Sequence, residues 1–127
     1  MNPKQEYKKI LNSFKYAIQG FFSAFKTEKN MKIHTLAMFI VIVLGIWLKL
    51  NPIQWCLIVV AIVLVISAEL FNTAIETVVD MISPEKNEKA KIAKDISAAA
   101  VLAVAIGAAI IGIIIFIPII KSLYSHI

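Results

Sequence analysis

A long apolar run that begins near Ile53 ends in the segment Glu69-Leu-Phe-Asn72-Thr-Ala-Ile-Glu76-Thr-Val-Val-Asp80. At about 100° per residue, Glu69, Glu76 and Asp80 fall within roughly 40° of one another around a helix, with Asn72 roughly 60° from Glu69. One face of a greasy helix therefore carries a polar stripe. An ionisable group inside a membrane helix costs about 2.5–3.5 kcal/mol on insertion scales, so three on one face point to function. The membrane setting follows from composition. The chain is 60% hydrophobic with a mean hydropathy of +0.83. Soluble domains are usually about 45–50% apolar. The 127 residues predict a single membrane domain, 1–127.

The pattern along the chain predicts an all-α integral membrane protein, with an N-terminal amphipathic surface helix and three transmembrane helices. Over residues 4–26, Tyr7, Leu11, Phe14, Ile18, Phe21, Phe22 and Phe25 recur at helical spacing, and Lys8, Asn12, Lys15, Gln19 and Lys26 fall elsewhere around the helix. Such a helix fits the membrane interface, with lysine stems reaching toward headgroups. Thr27-Glu28-Lys29-Asn30 reads as a polar turn. The first span is expected at 33–50. Asn51 is a candidate N-cap, with Pro52 at the first helical position. The second span is expected at 53–82, about 45 Å long at 1.5 Å per residue, and Ser83-Pro84 ends it. Glu69 then lies near the far edge of the hydrocarbon, with Asn72, Glu76 and Asp80 progressively wetter. Residues 85–95 form a charged segment. The third span is expected at 96–117, closed by Pro118 and Lys121.

All thirteen basic residues are lysines, and eleven of them lie before the first span or between the second and third. The positive-inside rule puts that side in the cytoplasm, the N-terminus inside and the C-terminus outside, in a cell membrane. The same asymmetry explains the net charge of +5 without nucleic acid. All eight acidic residues lie toward the same face. No signal-peptide pattern opens the chain. The lone Cys56 excludes an intramolecular disulfide. Ala99, Ala103 and Gly107, and separately Ala108 and Gly112, form small-residue rows that let helices approach closely. Three short helices are not expected to wall off the carboxylate stripe, so self-association is expected.

Glu76 and Asp80 are spaced to share a cation, and an oxygen-rich site with few ligands favours Mg²⁺ together with substrate phosphates. Glu69 is the deepest carboxylate, which suits it to general-base work on a buried hydroxyl. Lys94 and Asp95 are either an interfacial helix-start pair or a cation meeting phosphate oxygens. His34 reads as an interfacial residue rather than a ligand. Trp47 and Trp55 read as belt anchors. There is no P-loop and no nucleophile elbow. Two classes remain open: a metal-assisted enzyme at the cytoplasmic face, and a small proton or cation pathway. The polar site is one-sided, and Pro52 to Ser67 is apolar apart from Gln54, which favours the enzyme.

The Glu69–Asp80 run strongly resembles the E-x-x-N-[ST]-A-[IV]-E-x-x-x-D motif of the prokaryotic diacylglycerol kinase family, which includes the undecaprenol kinases of Gram-positive bacteria. Ser13-Phe14-Lys15-Tyr16-Ala17, Gly20, Glu28 and Ala93-Lys94-Asp95 followed by Ser97-Ala-Ala-Ala100 agree with it. The resemblance implies a homotrimeric kinase that phosphorylates a lipid hydroxyl with MgATP, each site shared by two protomers. It implies Glu69 as general base and Glu28 and Glu76 as the Mg²⁺ carboxylates. Asn72, Asp80, Lys94 and Asp95 resemble nucleotide-site residues, and Lys9, Tyr16 and Glu85 match adenine- and ribose-side positions. Lys9 stands where some members have arginine, which differs in hydrogen-bonding geometry. His34 with Asn30, and the Ser13–Gln19 pattern, look like the Gram-positive branch, which implies undecaprenol as acceptor and diacylglycerol as the alternative.

Overall fold

The computed structural model describes residues 2–85 and 87–125, with Tyr124 described through its backbone; Met1, Lys86, His126 and Ile127 lie outside the described residues. Four α-helices follow one another: α1 Pro3–Thr27, α2 Lys29–Trp47, α3 Pro52–Ile82 and α4 Glu88–Tyr124.

Each boundary has a local cause. Asn2 accepts the Lys4 N–H at 3.2 Å and Pro3 opens α1, a position where its missing N–H is harmless. The expected turn over residues 27–30 shrinks to Glu28 alone. Its extended backbone (φ −96°, ψ 124°) redirects the chain, and its N–H still bonds to the Ala24 carbonyl at 2.8 Å. Lys29 and Asn30 are already helical.

Between α2 and α3 the chain turns at Lys49, which adopts a left-handed φ of 54°. Leu50 N–H reaches back to the Gly45 carbonyl at 3.0 Å and Lys49 N–H to Ile46 at 3.2 Å, the pair of bonds of a Schellman motif. Asn51 then caps α3 as expected. Its side chain accepts the Gln54 N–H at 3.0 Å, and the Gln54 side chain accepts the Asn51 N–H at 2.9 Å. Ser83 ends α3 ahead of Pro84.

The apolar window expected at 96–117 lies inside a longer helix. Asn87 accepts the N–H groups of Lys89 and Ala90, so α4 starts within the charged segment. It also continues through Pro118 rather than closing there. A proline removes one backbone donor, and that loss is outweighed where an apolar helix would otherwise expose its ladder. With 37 residues α4 extends about 55 Å.

Helices α3 and α4 form the main packed pair; α2 lies on α3, and α1 touches α2 and α3. Near the α2–α3 turn the core is Leu50, Ile58 and Ile115, with Val41, Trp55, Ile111 and Phe116 against it. Much of the remaining apolar surface is exposed, including Phe39, Val43, Val60, Ile106 and Ile114. Helices α2, α3 and α4 are long and apolar enough to cross a membrane. Their open faces suit lipid as solvent. The small-residue rows do not bring helices together at their glycines within one chain: no atom would lie within 4 Å of a methyl added at Gly107 or Gly112.

Candidate functional site

Four polar residues of α3 descend from buried to exposed along one stripe. Glu69 is 1% exposed and Asn72 7%, Glu76 is half-buried, and the Asp80 side chain is 63% exposed. The order matches the expected gradient of wetness. Neighbouring elements of the same chain already cover Glu69.

The stripe is tied to α4 at two heights. Ser97 donates to the Asn72 carbonyl oxygen at 2.6 Å, and the Asn72 amide donates to Glu76 Oε1 at 3.1 Å. The Asn72 carboxamide is thereby oriented by a partner on α4, and it in turn steadies the Glu76 carboxylate. One turn further out, Lys94 Nζ pairs with Asp80 Oδ1 at 2.7 Å. Both partners are exposed enough for water to weaken the pair, so it can open for another anion. Lys94 thus stands beside the polar cluster, paired with its outermost carboxylate. Thr73 and Thr77 return their hydroxyls to the carbonyls of Glu69 and Thr73, at 2.9 and 2.8 Å, which removes their polarity from the helix surface.

On the other side of Glu69 stands α2. His34 Nε2 lies 3.2 Å from Glu69 Oε1. The approach lacks the alignment of a hydrogen bond, and Oε1 is a buried oxygen without a hydrogen-bond partner among the described residues. Glu28 and Glu76 are the carboxylates whose charge acts on Glu69. Glu28 sits at the α1–α2 junction, and its side chain caps neither helix, so its carboxylate remains available.

The structure thus gathers Glu69, Asn72, Glu76, Asp80 and Lys94, with Glu28 close enough to be felt electrostatically. It does not join the others to them. Lys9, Tyr16, Glu85 and Asp95 are exposed, and their side chains make no hydrogen bond or ion pair among the described residues. No set of three or more His, Cys, Asp or Glu among the described residues forms a metal cage. Carboxylate oxygens from two elements still suit Mg²⁺, which keeps several waters and takes its other ligands from phosphates.

Two residues of the site escape the sequence reading. Ser97 is visible there only as one of a small-residue run, although an asparagine buried in an apolar helix needs a partner for its oxygen as well as its nitrogen. His34 is expected at the interface, and only the folding of α2 onto α3 shows it facing Glu69.

The family model described as prokaryotic diacylglycerol kinase matches residues 15–116. An undecaprenol kinase of Bacillus subtilis is 37% identical over 115 residues, covering 91% of this chain and 94% of that protein. A diacylglycerol kinase of Synechocystis is 42% identical over 115 residues, covering 90% of this chain and 66% of that protein. A diacylglycerol kinase of Haemophilus influenzae is 38% identical over 105 residues, covering 83% and 86%.

Proposed function

Because this chain belongs to the prokaryotic diacylglycerol kinase family, and is therefore a multi-pass membrane lipid kinase that uses ATP, we propose that it transfers the γ-phosphate of MgATP to undecaprenol. The observation that carries the reading is the buried Glu69 carboxylate, whose Oε1 makes no hydrogen bond among the described residues, at the inner end of a polar path that reaches the surface at Asp80 and Lys94.

Glu69 takes the proton of the lipid hydroxyl as that oxygen attacks the γ-phosphorus. The bond from the γ-phosphorus to the bridging oxygen breaks, and ADP leaves with the electron pair. Such transfers ask little covalent chemistry of the protein, and positioning with charge neutralisation supplies the rate. Glu28 and Glu76 would hold Mg²⁺, which would neutralise charge on the phosphates. Asn72 aims Glu76, and Lys94 exchanges its Asp80 partner for a phosphate oxygen. Asp95 assists at the nucleotide side, and Lys9, Tyr16 and Glu85 take the adenine and ribose. The active assembly is a homotrimer with sites shared between protomers, its N-terminus cytoplasmic and its C-terminus external.

Undecaprenol as acceptor rests on the Bacillus subtilis relative, which is similar over nearly its whole length. Diacylglycerol is the second reading, favoured by the Synechocystis and Haemophilus relatives. The deciding experiment offers both lipids in one mixed micelle with radiolabelled ATP and separates the products. Undecaprenyl phosphate is expected to take about ten-fold more label, a preference of the size one pocket can generate. Equal or greater label in phosphatidic acid assigns the enzyme to diacylglycerol instead.

A further inference from the structure

A base that is 1% exposed has a difficulty that the phosphoryl transfer does not resolve: the proton it collects in each turnover has to leave. Along α3, the polar groups beside Glu69 already donate elsewhere. The Thr73 hydroxyl is committed to the Glu69 backbone carbonyl, and the Asn72 amide to Glu76. Among the described residues, the basic side chain against the Glu69 carboxylate is His34, 3.2 Å away on α2, and it is 22% exposed. It therefore meets the buried oxygen while remaining partly exposed itself.

We propose that His34 is a positioning residue of Glu69 that also serves as its proton outlet. The inference rests on Glu69 being the general base. After transfer, the proton on the Glu69 carboxyl moves from Oε1 to His34 Nε2. This nitrogen is an acceptor when the neutral imidazole carries its proton on Nδ1. The imidazolium then releases the Nδ1 proton to water, and the carboxylate is restored. The balance closes on one proton entering from the lipid hydroxyl and one leaving to solvent. Histidine suits the task because its two ring nitrogens can take up a proton on one side and release one on the other. Glu28 and Glu76 are the other charged groups that act on Glu69.

The test compares the parent protein with His34→Ala and His34→Gln in detergent micelles, using whichever lipid the parent phosphorylates. Removing a proton-transfer partner is expected to lower kcat by about ten-fold or more in both variants, leaving KM for MgATP within about two-fold. Millimolar imidazole should restore at least half of the loss in His34→Ala and leave both the parent and Glu69→Gln unchanged. Glutamine keeps a hydrogen-bonding side chain beside Glu69 but cannot carry a proton. Parent-like turnover in His34→Gln, or a His34→Ala defect that imidazole does not reverse, overturns the outlet. Failure of the premise reads differently: Glu69→Gln would then retain turnover, whatever happens at position 34.

Discussion

Glu69 is where the chemistry is most sharply testable at the scale of a single residue. Glutamine at this position keeps the shape and the packing against α2 but cannot accept the lipid proton. Glu69→Gln is therefore expected to lose about 10²–10⁴-fold in kcat, with nucleotide binding retained. Near-parental turnover in purified protein would remove the general-base role. Ser97 makes a second, different prediction. Its hydroxyl satisfies the buried Asn72 oxygen at 2.6 Å, so Ser97→Ala leaves that oxygen unpaired and destabilises the fold by about 1–3 kcal/mol. It also frees the carboxamide to turn, so Glu76 loses its aim and the Mg²⁺ concentration for half-maximal activity should rise. A thermal melt in detergent and an Mg²⁺ titration check the two halves, and an unchanged titration would separate Ser97 from the metal side. The stripe itself is legible in the amino-acid sequence, because four polar groups at helical spacing in an apolar run leave little choice of face. His34 and Ser97 are not, because each joins the site from another helix, and a lone histidine or serine carries no spacing that announces its partner.

Helices are legible in the sequence where a cap or a long apolar run marks them, and less so where charge is taken for a break. Asn51-Pro52 announces the start of α3, and the capping box with Gln54 bears it out. By contrast, the charged residues 88–95 read as a loop, yet Asn87 satisfies two free N–H groups and the helix begins there. Glutamate, lysine and alanine are good helix formers, so charge alone is a poor stop signal. The α2–α3 turn yields a prediction that belongs to the element rather than to the site. Lys49 holds a left-handed backbone at φ 54°, a conformation strained for any residue with a Cβ. Lys49→Gly should stabilise the protein by up to about 1 kcal/mol, the relief of strain being partly offset by the freer unfolded chain. Four positions earlier the sign reverses. A methyl at Gly45 would come within 2.9 Å of the Trp55 ring and 3.0 Å of Leu50. Gly45→Ala should destabilise by about 1–3 kcal/mol, because a packed indole has little freedom to retreat. Thermal denaturation of both variants in one detergent compares the two signs directly. Equal melting temperatures would mean that the turn bears no strain worth relieving.

At the scale of the whole molecule, the asymmetry of charge makes the boldest claim. Eleven of thirteen lysines lie on the side of the bundle that carries the acidic cluster, and ATP is available only in the cytoplasm. An odd number of crossings then places the two ends of the chain on opposite sides, with α4 leading outward to Ser125. The proposed orientation can be read in intact cells. In a Cys56→Ser background, Ser125→Cys should react with a membrane-impermeant maleimide added outside, whereas Gln5→Cys should react only after the cells are opened. Both new thiols replace exposed side chains away from the buried stripe, so activity in the same membranes checks that the fold survives. The reverse pattern would put Asp80 and Lys94 on the external face, out of reach of cytoplasmic nucleotide, and the assignment of that end of α3 to ATP would fail with it. The expected pattern also constrains the lipid. Its hydroxyl has to sit at the depth of Glu69, just inside the polar path, while its tail stays among the exposed apolar faces of the helices. A long prenyl alcohol and a diacylglycerol both satisfy that requirement at their heads, so selectivity between them has to arise along the tail, in contacts that the acidic stripe does not make.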